Sequence, residues 1–114
     1  MSVSVSIIVP CYNVAAYLDQ CMESLAGQSM EDIEIICVND GSSDHTAEIL
    51  REWRDRDGRV RVIDRKNSGV SAARNSGMEA AAGKYIGFVD PDDVVDRNMF
   101  RRLFDAAVEK DGDG

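Results

Sequence analysis

Four short apolar segments rich in β-branched residues alternate with four segments of helical periodicity, and this alternation leaves the chain few ways to fold. Residues 3–9 read Val-Ser-Val-Ser-Ile-Ile-Val and are expected to form a buried strand that stops at Pro10. Residues 33–38, 60–63 and 85–89 supply three more strands. Between the first two, Leu18, Cys21 and Leu25 recur at helical spacing within residues 14–25, and Gly27 can end that helix. A second helix buries Ala47, Leu50 and Trp53, with Ile49 nearby, and ends by Gly58. Ser43 or Asp44 can accept hydrogen bonds from its first free amides. A third helix over residues 70–82 puts Val70, Ala73, Gly77 and Ala81 on one face, small enough to lie close to a sheet, before Gly83. A fourth begins after Asp96 as its cap, with Phe100, Phe104 and Val108 on one stripe, and the tail from Lys110 to Gly114 is expected to fray.

Strands separated by helix-length crossovers pair in parallel through right-handed connections. The expected fold is therefore α/β, a Rossmann-like, mostly parallel sheet with helices on both faces. At 114 residues the chain makes one domain, residues 1–109 with a short tail, and it shows no repeat and no linker. In such sheets ligands sit beyond the carboxyl ends of the strands, which directs attention to three loops.

Composition narrows the partners. Thirteen basic against 21 acidic residues give a net charge of −8, which counts against nucleic acid and against a polybasic hold on a membrane. No apolar run approaches the roughly 20 residues of a transmembrane helix. Residues 1–10 lack the basic start of a signal peptide. Cys11, Cys21 and Cys37 are odd in number, form no CxxC pair and lie in apolar stretches, so they are expected to be buried, reduced thiols. A cytoplasmic location follows as an expectation, with any membrane association arising from parts absent from this chain. P-loop and GxGxxG strings are missing, which counts against P-loop hydrolysis and ordinary dinucleotide binding.

The strand ends carry the chemistry. The first ends in Pro10-Cys-Tyr12-Asn13, the second in Asn39-Asp40-Gly41-Ser-Ser43 and the fourth, also expected to be buried, in Asp90-Pro-Asp92-Asp93. Three carboxylates within four residues repel one another unless a cation or protons neutralise them. Hard oxygen ligands without His or Cys neighbours suit Mn²⁺ or Mg²⁺, with water and a phosphate completing the shell. The bland alternative is a solvated acidic turn leading into the last helix. Asp40 can accept the imide N–H of a uracil ring, or it can serve an Asx turn before Gly41. Tyr12 can cover a flat base. Arg74 can reach a phosphate or a loop carboxylate from its helix, or lie on the surface. His45 reads as exposed and incidental, Trp53 as core, and Asp44 as a helix cap.

Four strings taken together resemble family-2 glycosyltransferases of the GT-A fold: Ser6-Ile-Ile-Val-Pro10-Cys-Tyr-Asn13, Val38-Asn-Asp40-Gly-Ser-Ser-Asp44, Asn67-Ser-Gly69-Val-Ser-Ala-Ala-Arg74-Asn75-Ser-Gly77, and Phe88-Val-Asp90-Pro-Asp-Asp93. The resemblance implies a nucleotide-sugar-binding half, with UDP as the expected nucleotide. Pro10, Tyr12 and Asp40 match positions that hold the nucleoside, and Asn13 is taken with them. Asn67 and Arg74 match positions near the nucleotide. Asp90 and Asp92 match the DxD motif, with Asp92 the direct metal ligand and Asp93 extending the motif. Asn39 and Ser43 depart mildly, standing where many members have Asp and Thr.

The larger departure is length. Family members continue beyond the DxD helix into the acceptor site and general base, whereas this sequence ends at Gly114. The resemblance therefore implies a catalytic base beyond Gly114 and none among these residues, and the chain is expected not to transfer sugar by itself. The full enzyme is expected to perform inverting transfer to a glycan or lipid-linked acceptor, as in cell-surface polysaccharide synthesis. An uncovered sheet edge would favour self-association. Two rival classes are a receiver-type signalling domain and a noncatalytic nucleotide-binding or assembly module. A receiver needs an acidic pair after the first strand, whereas here the acids follow strands two and four.

Overall fold

The computed structural model describes residues 2–111. Its elements run β1 (Val5–Cys11), α1 (Leu18–Ala26), β2 (Ile33–Asp40), α2 (Thr46–Arg56), β3 (Val60–Arg65), α3 (Val70–Ala80), β4 (Tyr85–Phe88) and α4 (Met99–Asp111). All pairings are parallel, in the order β3-β2-β1-β4. The α/β sheet with flanking helices is thus as the alternation predicts. The chain steps outward through β2 and β3, then returns to the far side of β1. Right-handed crossovers in opposite directions put helices on opposite faces.

One face buries Ile7, Val9, Ile35 and Cys37 of the sheet against Leu18, Met22 and Leu25 of α1, Leu50 and Trp53 of α2, and Phe100 of α4. The other packs Ile8, Ile36 and Val38 against Ala73 of α3. Gly77 is required by this second contact: a Cβ there would lie 2.5 Å from Ile8 Cγ2.

Several boundaries differ from the sequence expectation. β1 runs through Pro10, paired in register with Val38. The Ile8 carbonyl accepts from Val89 N–H at 3.0 Å, so the even-numbered peptide groups of β1 face β4. The β4 ladder ends at Phe88, opposite Ile8, and the amide hydrogen that Pro10 lacks has no partner to lose. The helix expected from Val14 starts at Leu18, because residues 14–17 form a turn in which the Val14 carbonyl accepts from Tyr17 and Leu18 N–H. Asn39 and Asp40, read as loop, extend β2 in register with Asp64 and Arg65 of a longer β3. α3 stops at Ala80, and its Val70 is exposed.

β4 was expected to be buried and is instead an edge strand, with Ile86 and Phe88 each 43% exposed. The tail expected to fray from Lys110 is corrected in part: Lys110 and Asp111 continue α4, whose hydrogen-bonded turns carry on past the last apolar residue of its stripe. The remainder of that tail, residues 112 to Gly114, lies outside the described residues. The strand interiors are also less apolar than expected. Glu34 of β2 is buried, accepting from Ser6 Oγ at 2.6 Å, Ala82 N–H at 2.7 Å and Arg61 Nη1 at 3.0 Å.

Candidate functional site

The strand order reverses at β1, so the crevice beyond β1 and β4 is the topological switch point of the sheet. Two cavities open at the carboxyl ends of the strands. The first, about 310 Å³, is walled by Pro10 and Tyr12 from β1 and its loop, Asp40 from β2, Asn67 and Gly69 ahead of α3, and Val70 and Ala73 of α3. Its lining is mainly apolar, and Tyr12 stands 52% exposed at its mouth. A flat, weakly polar group suits such a slot.

Asp40 is the charged member, and it is almost fully buried. Its Oδ1 accepts from Ser68 N–H at 3.0 Å and its Oδ2 from Gly69 N–H at 2.9 Å, while Arg65 Nε lies 3.5 Å from Oδ1. Each carboxylate oxygen keeps a further lone pair for a ligand. Asn67 Nδ2 donates to the Asp40 carbonyl at 3.0 Å, drawing the loop before α3 onto the end of β2. Gly41 permits this approach, since it adopts φ 71° and a Cβ would meet Asn67 N at 2.6 Å. Asp40 and Asn67 therefore serve the architecture of the cavity as well as its lining.

Asn13 does not line this cavity. It holds a left-handed φ of 50° and fastens the β1 loop to the β2 loop. Its Oδ1 accepts from Ser43 N–H at 2.8 Å and its own N–H donates to Ser42 Oγ at 3.0 Å. Asp44 works beside it, accepting from Thr46 N–H at 2.9 Å and Ala15 N–H at 3.2 Å. Asp44 thus accepts from the first amide of α2, as expected of it, but from one residue before the cap position. His45 occupies that position without a side-chain hydrogen bond of its own to the helix end. His45 is exposed and meets Glu48 at 3.1 Å, and Trp53 is buried with its Nε1 donating to Asp19. All three cysteines are free and buried.

The second cavity, about 370 Å³, is bounded by Arg74, Phe88, Asp90, Asp93, Asp96 and Met99, among others. Asp90, Asp92 and Asp93 are exposed, and one carboxylate oxygen from each falls within 4.8 Å of the others. The turn that gathers them is closed by Asp93 N–H donating to the Asp90 carbonyl at 3.0 Å. Arg74 Nη2 lies 3.8 Å from Asp90 Oδ1, and its guanidinium carbon sits 5.8 Å from the Phe88 ring centroid. Cys21 lies beneath the same turn. Burial, then the charges of Asp93, Asp92 and Asp90, push its thiol up to about 12. The thiol is thus held protonated at neutral pH beneath the exposed carboxylates.

The turn is held by Cys21 and Ser24 of α1 and by Gln28 just past its end, and of these sequence reasoning singled out only Cys21, as a core thiol. Cys21 Sγ lies 3.7 Å from the Asp90 carbonyl, Ser24 Oγ accepts from Val95 N–H at 3.1 Å, and Gln28 Nε2 donates to the Asp96 carbonyl at 2.7 Å. Gln28 Oε1 also accepts from Phe100 N–H at 3.1 Å, satisfying an amide at the start of α4. The available signal was the spacing of Cys21 and Ser24, three apart on one face of a helix, whereas Gln28 lies beyond Gly27 and its spacing gave none.

Proteins of known sequence and structure resemble this chain. The uncharacterized glycosyltransferase EpsJ of Bacillus subtilis (strain 168) is 52% identical over 105 residues, which cover 92% of this chain and 30% of EpsJ. The crystal structure of S. aureus TarS 1-349 in complex with UDP-GlcNAc superposes with a TM-score of 0.82 at 33% identity, covering 96% of this chain and 31% of that one. The mannosyltransferase PcManGT from Pyrobaculum calidifontis, in complex with GDP-Man and Mn²⁺, has the same fold, with a TM-score of 0.80 at 22% identity and coverage of 94% and 32%. The chain thus spans about a third of the length of EpsJ, of TarS 1-349 and of PcManGT. The model of glycosyl transferase family 2 matches residues 6–114, a stretch that takes in both cavities and every strand but the first residue of β1, and the chain belongs to that family.

Proposed function

We propose that this chain forms the donor-binding side of a glycosyltransferase, taking up a nucleotide diphosphate sugar, with UDP as the nucleotide, together with a divalent cation. The observation that carries this reading is the placement of an apolar slot holding Tyr12 and Asp40 and of a cluster of three converging carboxylates at the same carboxyl edge of one sheet, with α3 lining both cavities. A base fits the slot, and the diphosphate extends toward the acids. TarS with UDP-GlcNAc and PcManGT with GDP-Man and Mn²⁺ support the ligand class.

Asp90, Asp92 and Asp93 would hold Mn²⁺ or Mg²⁺: they are oxygen-only, exposed to solvent and close enough to share one ion. The bound cation would stabilise the charge that develops on the departing nucleotide diphosphate. Pro10, Tyr12, Asp40 and Asn67 would seat the nucleoside, and Arg74 would meet the phosphates. Asn13 would act by shaping the loop beneath them. In this reading residues 1–109 are half of a GT-A domain. The acceptor site and the base of an inverting transfer belong to sequence beyond Gly114, so residues 1–114 do not transfer sugar alone. The acceptor is a glycan or a lipid-linked glycan. The buried free thiols support a cytoplasmic setting, and the exposed edge of β4 with Ile86 and Phe88 supports self-association.

Calorimetry with UDP tests the reading. Binding is expected with Mn²⁺ or Mg²⁺ present and should be lost with a chelator. Equal affinity with and without metal would remove the role given to the acidic turn. A noncatalytic nucleotide-binding module would behave identically here and differ only in turnover of the longer protein. A receiver domain is disfavoured by the position of β3 at the outer edge and by the non-acidic end of β1.

A further inference from the structure

Arg74 occupies an unusual position in the second cavity. Its guanidinium forms an ion pair with Asp90 at 3.8 Å, the cationic member of a group that otherwise gathers three carboxylates. It also approaches the face of Phe88, itself an exposed edge-strand residue. Its Nε–H is buried without any acceptor among the described residues. A buried donor left unpaired is costly, and an arriving anionic oxygen would relieve that cost. Arg74 projects from α3, which also walls the first cavity through Ala73, so its helix is fixed relative to both.

We propose that Arg74 is the resident counter-ion of the acidic turn and is exchanged for the divalent cation when the donor binds. This rests on the metal reading given above. Without metal, the guanidinium offsets part of the repulsion among Asp90, Asp92 and Asp93. When a divalent cation occupies the carboxylates, two cations compete for Asp90, and the released guanidinium turns its planar donors to the diphosphate that arrives with the metal. The same side chain thus opposes the metal alone and favours the metal together with the nucleotide.

The opposed signs make the exchange testable with the intact chain. Mn²⁺ binding is measured first by electron paramagnetic resonance without nucleotide, then UDP binding by calorimetry at saturating Mn²⁺. Arg74→Gln should tighten Mn²⁺ alone roughly three- to tenfold, because a unit positive charge near the ion is removed. It should weaken UDP by roughly tenfold. Arg74→Lys keeps the charge and should leave the Mn²⁺ affinity near that of the unsubstituted chain. Arg102→Gln removes an equal charge from the Asp96 pair, outside the triad, and should change Mn²⁺ affinity less than Arg74→Gln does. Circular dichroism of each variant checks that the fold is kept. If the unsubstituted chain binds Mn²⁺ and folded Arg74→Gln binds it no more tightly, the exchange is wrong while the metal site stands. If neither protein binds Mn²⁺, the metal site itself fails and the exchange falls with it.

Discussion

Asp40 and Asp92 look alike in sequence, each an aspartate just past an apolar strand, yet their surroundings assign them different jobs. Asp40 is nearly fully buried and accepts one backbone N–H on each oxygen, from Ser68 and Gly69. Asp92 is exposed at the turn and has no hydrogen-bond partner among those found for the described residues. Asp40→Asn replaces one acceptor by an amide that faces a backbone N–H, and should cost about 1–3 kcal/mol of stability, read from urea unfolding. It should also narrow the preference for UDP over CDP. Asp92→Asn should leave the urea midpoint in place and weaken only metal-supported binding. A stability loss from both, or from neither, would contradict this division. Asn13 belongs with Asp40: its side chain is engaged by Ser43 N–H, so its influence on a ligand passes through loop shape.

Among the elements, α3 ties the two cavities together. Ala73 walls one, Arg74 the other, and both are placed by the contact of Gly77 with Ile8 at the sheet. Gly77→Ala would put a methyl 2.5 Å from Ile8 Cγ2, and both helix and strand are backbone-constrained there. The gain in helix propensity is outweighed by overpacking, so the substitution should destabilise by about 1–3 kcal/mol. Thermal and urea unfolding measure this, and a stabilised variant would show that α3 can lift off the sheet at no cost. Ser24 of α1 and Gln28, just past its end, perform the matching task for the acidic turn. The four helices and four strands were legible because their periodicities differ. Their ends were less so, since Pro10 looks like a strand stop until its neighbour β4 is known to have ended.

For the whole molecule, a net charge of −8 sets the response to acid. Burial raises the Glu34 carboxyl, but hydrogen bonds from Ser6, Ala82 and Arg61 outweigh it and hold the group below its ordinary value of 4.5. Arg59 does the same for Asp57, chiefly by direct hydrogen bonding. A carboxyl whose folded pKa is depressed contributes stability that is complete above the unfolded value. That contribution is lost as pH falls from there through the lowered folded value. Protonation also relieves self-repulsion, which works the other way. Comparing Glu34→Gln with the unsubstituted chain separates the two. The variant should be less stable at pH 7, and the gap should narrow as the pH is taken well below 4.5. A gap unchanged between neutral and acid urea midpoints would show that Glu34 carries no such linkage.

The strand and helix alternation, the parallel sheet and the segments at the strand ends were determined by sequence alone. Each depends on local periodicity or on the handedness of a single crossover. Which side chains converge was decided only by the tertiary structure. Asp40 meets the amides of residues 68 and 69, and Arg74 meets Asp90, through the placement of α3 across the sheet. The edge position of β4 and the burial of Glu34 have the same origin. Side-chain pairing across 16 to 48 residues depends on how elements stack, and no spacing along the chain encodes that distance.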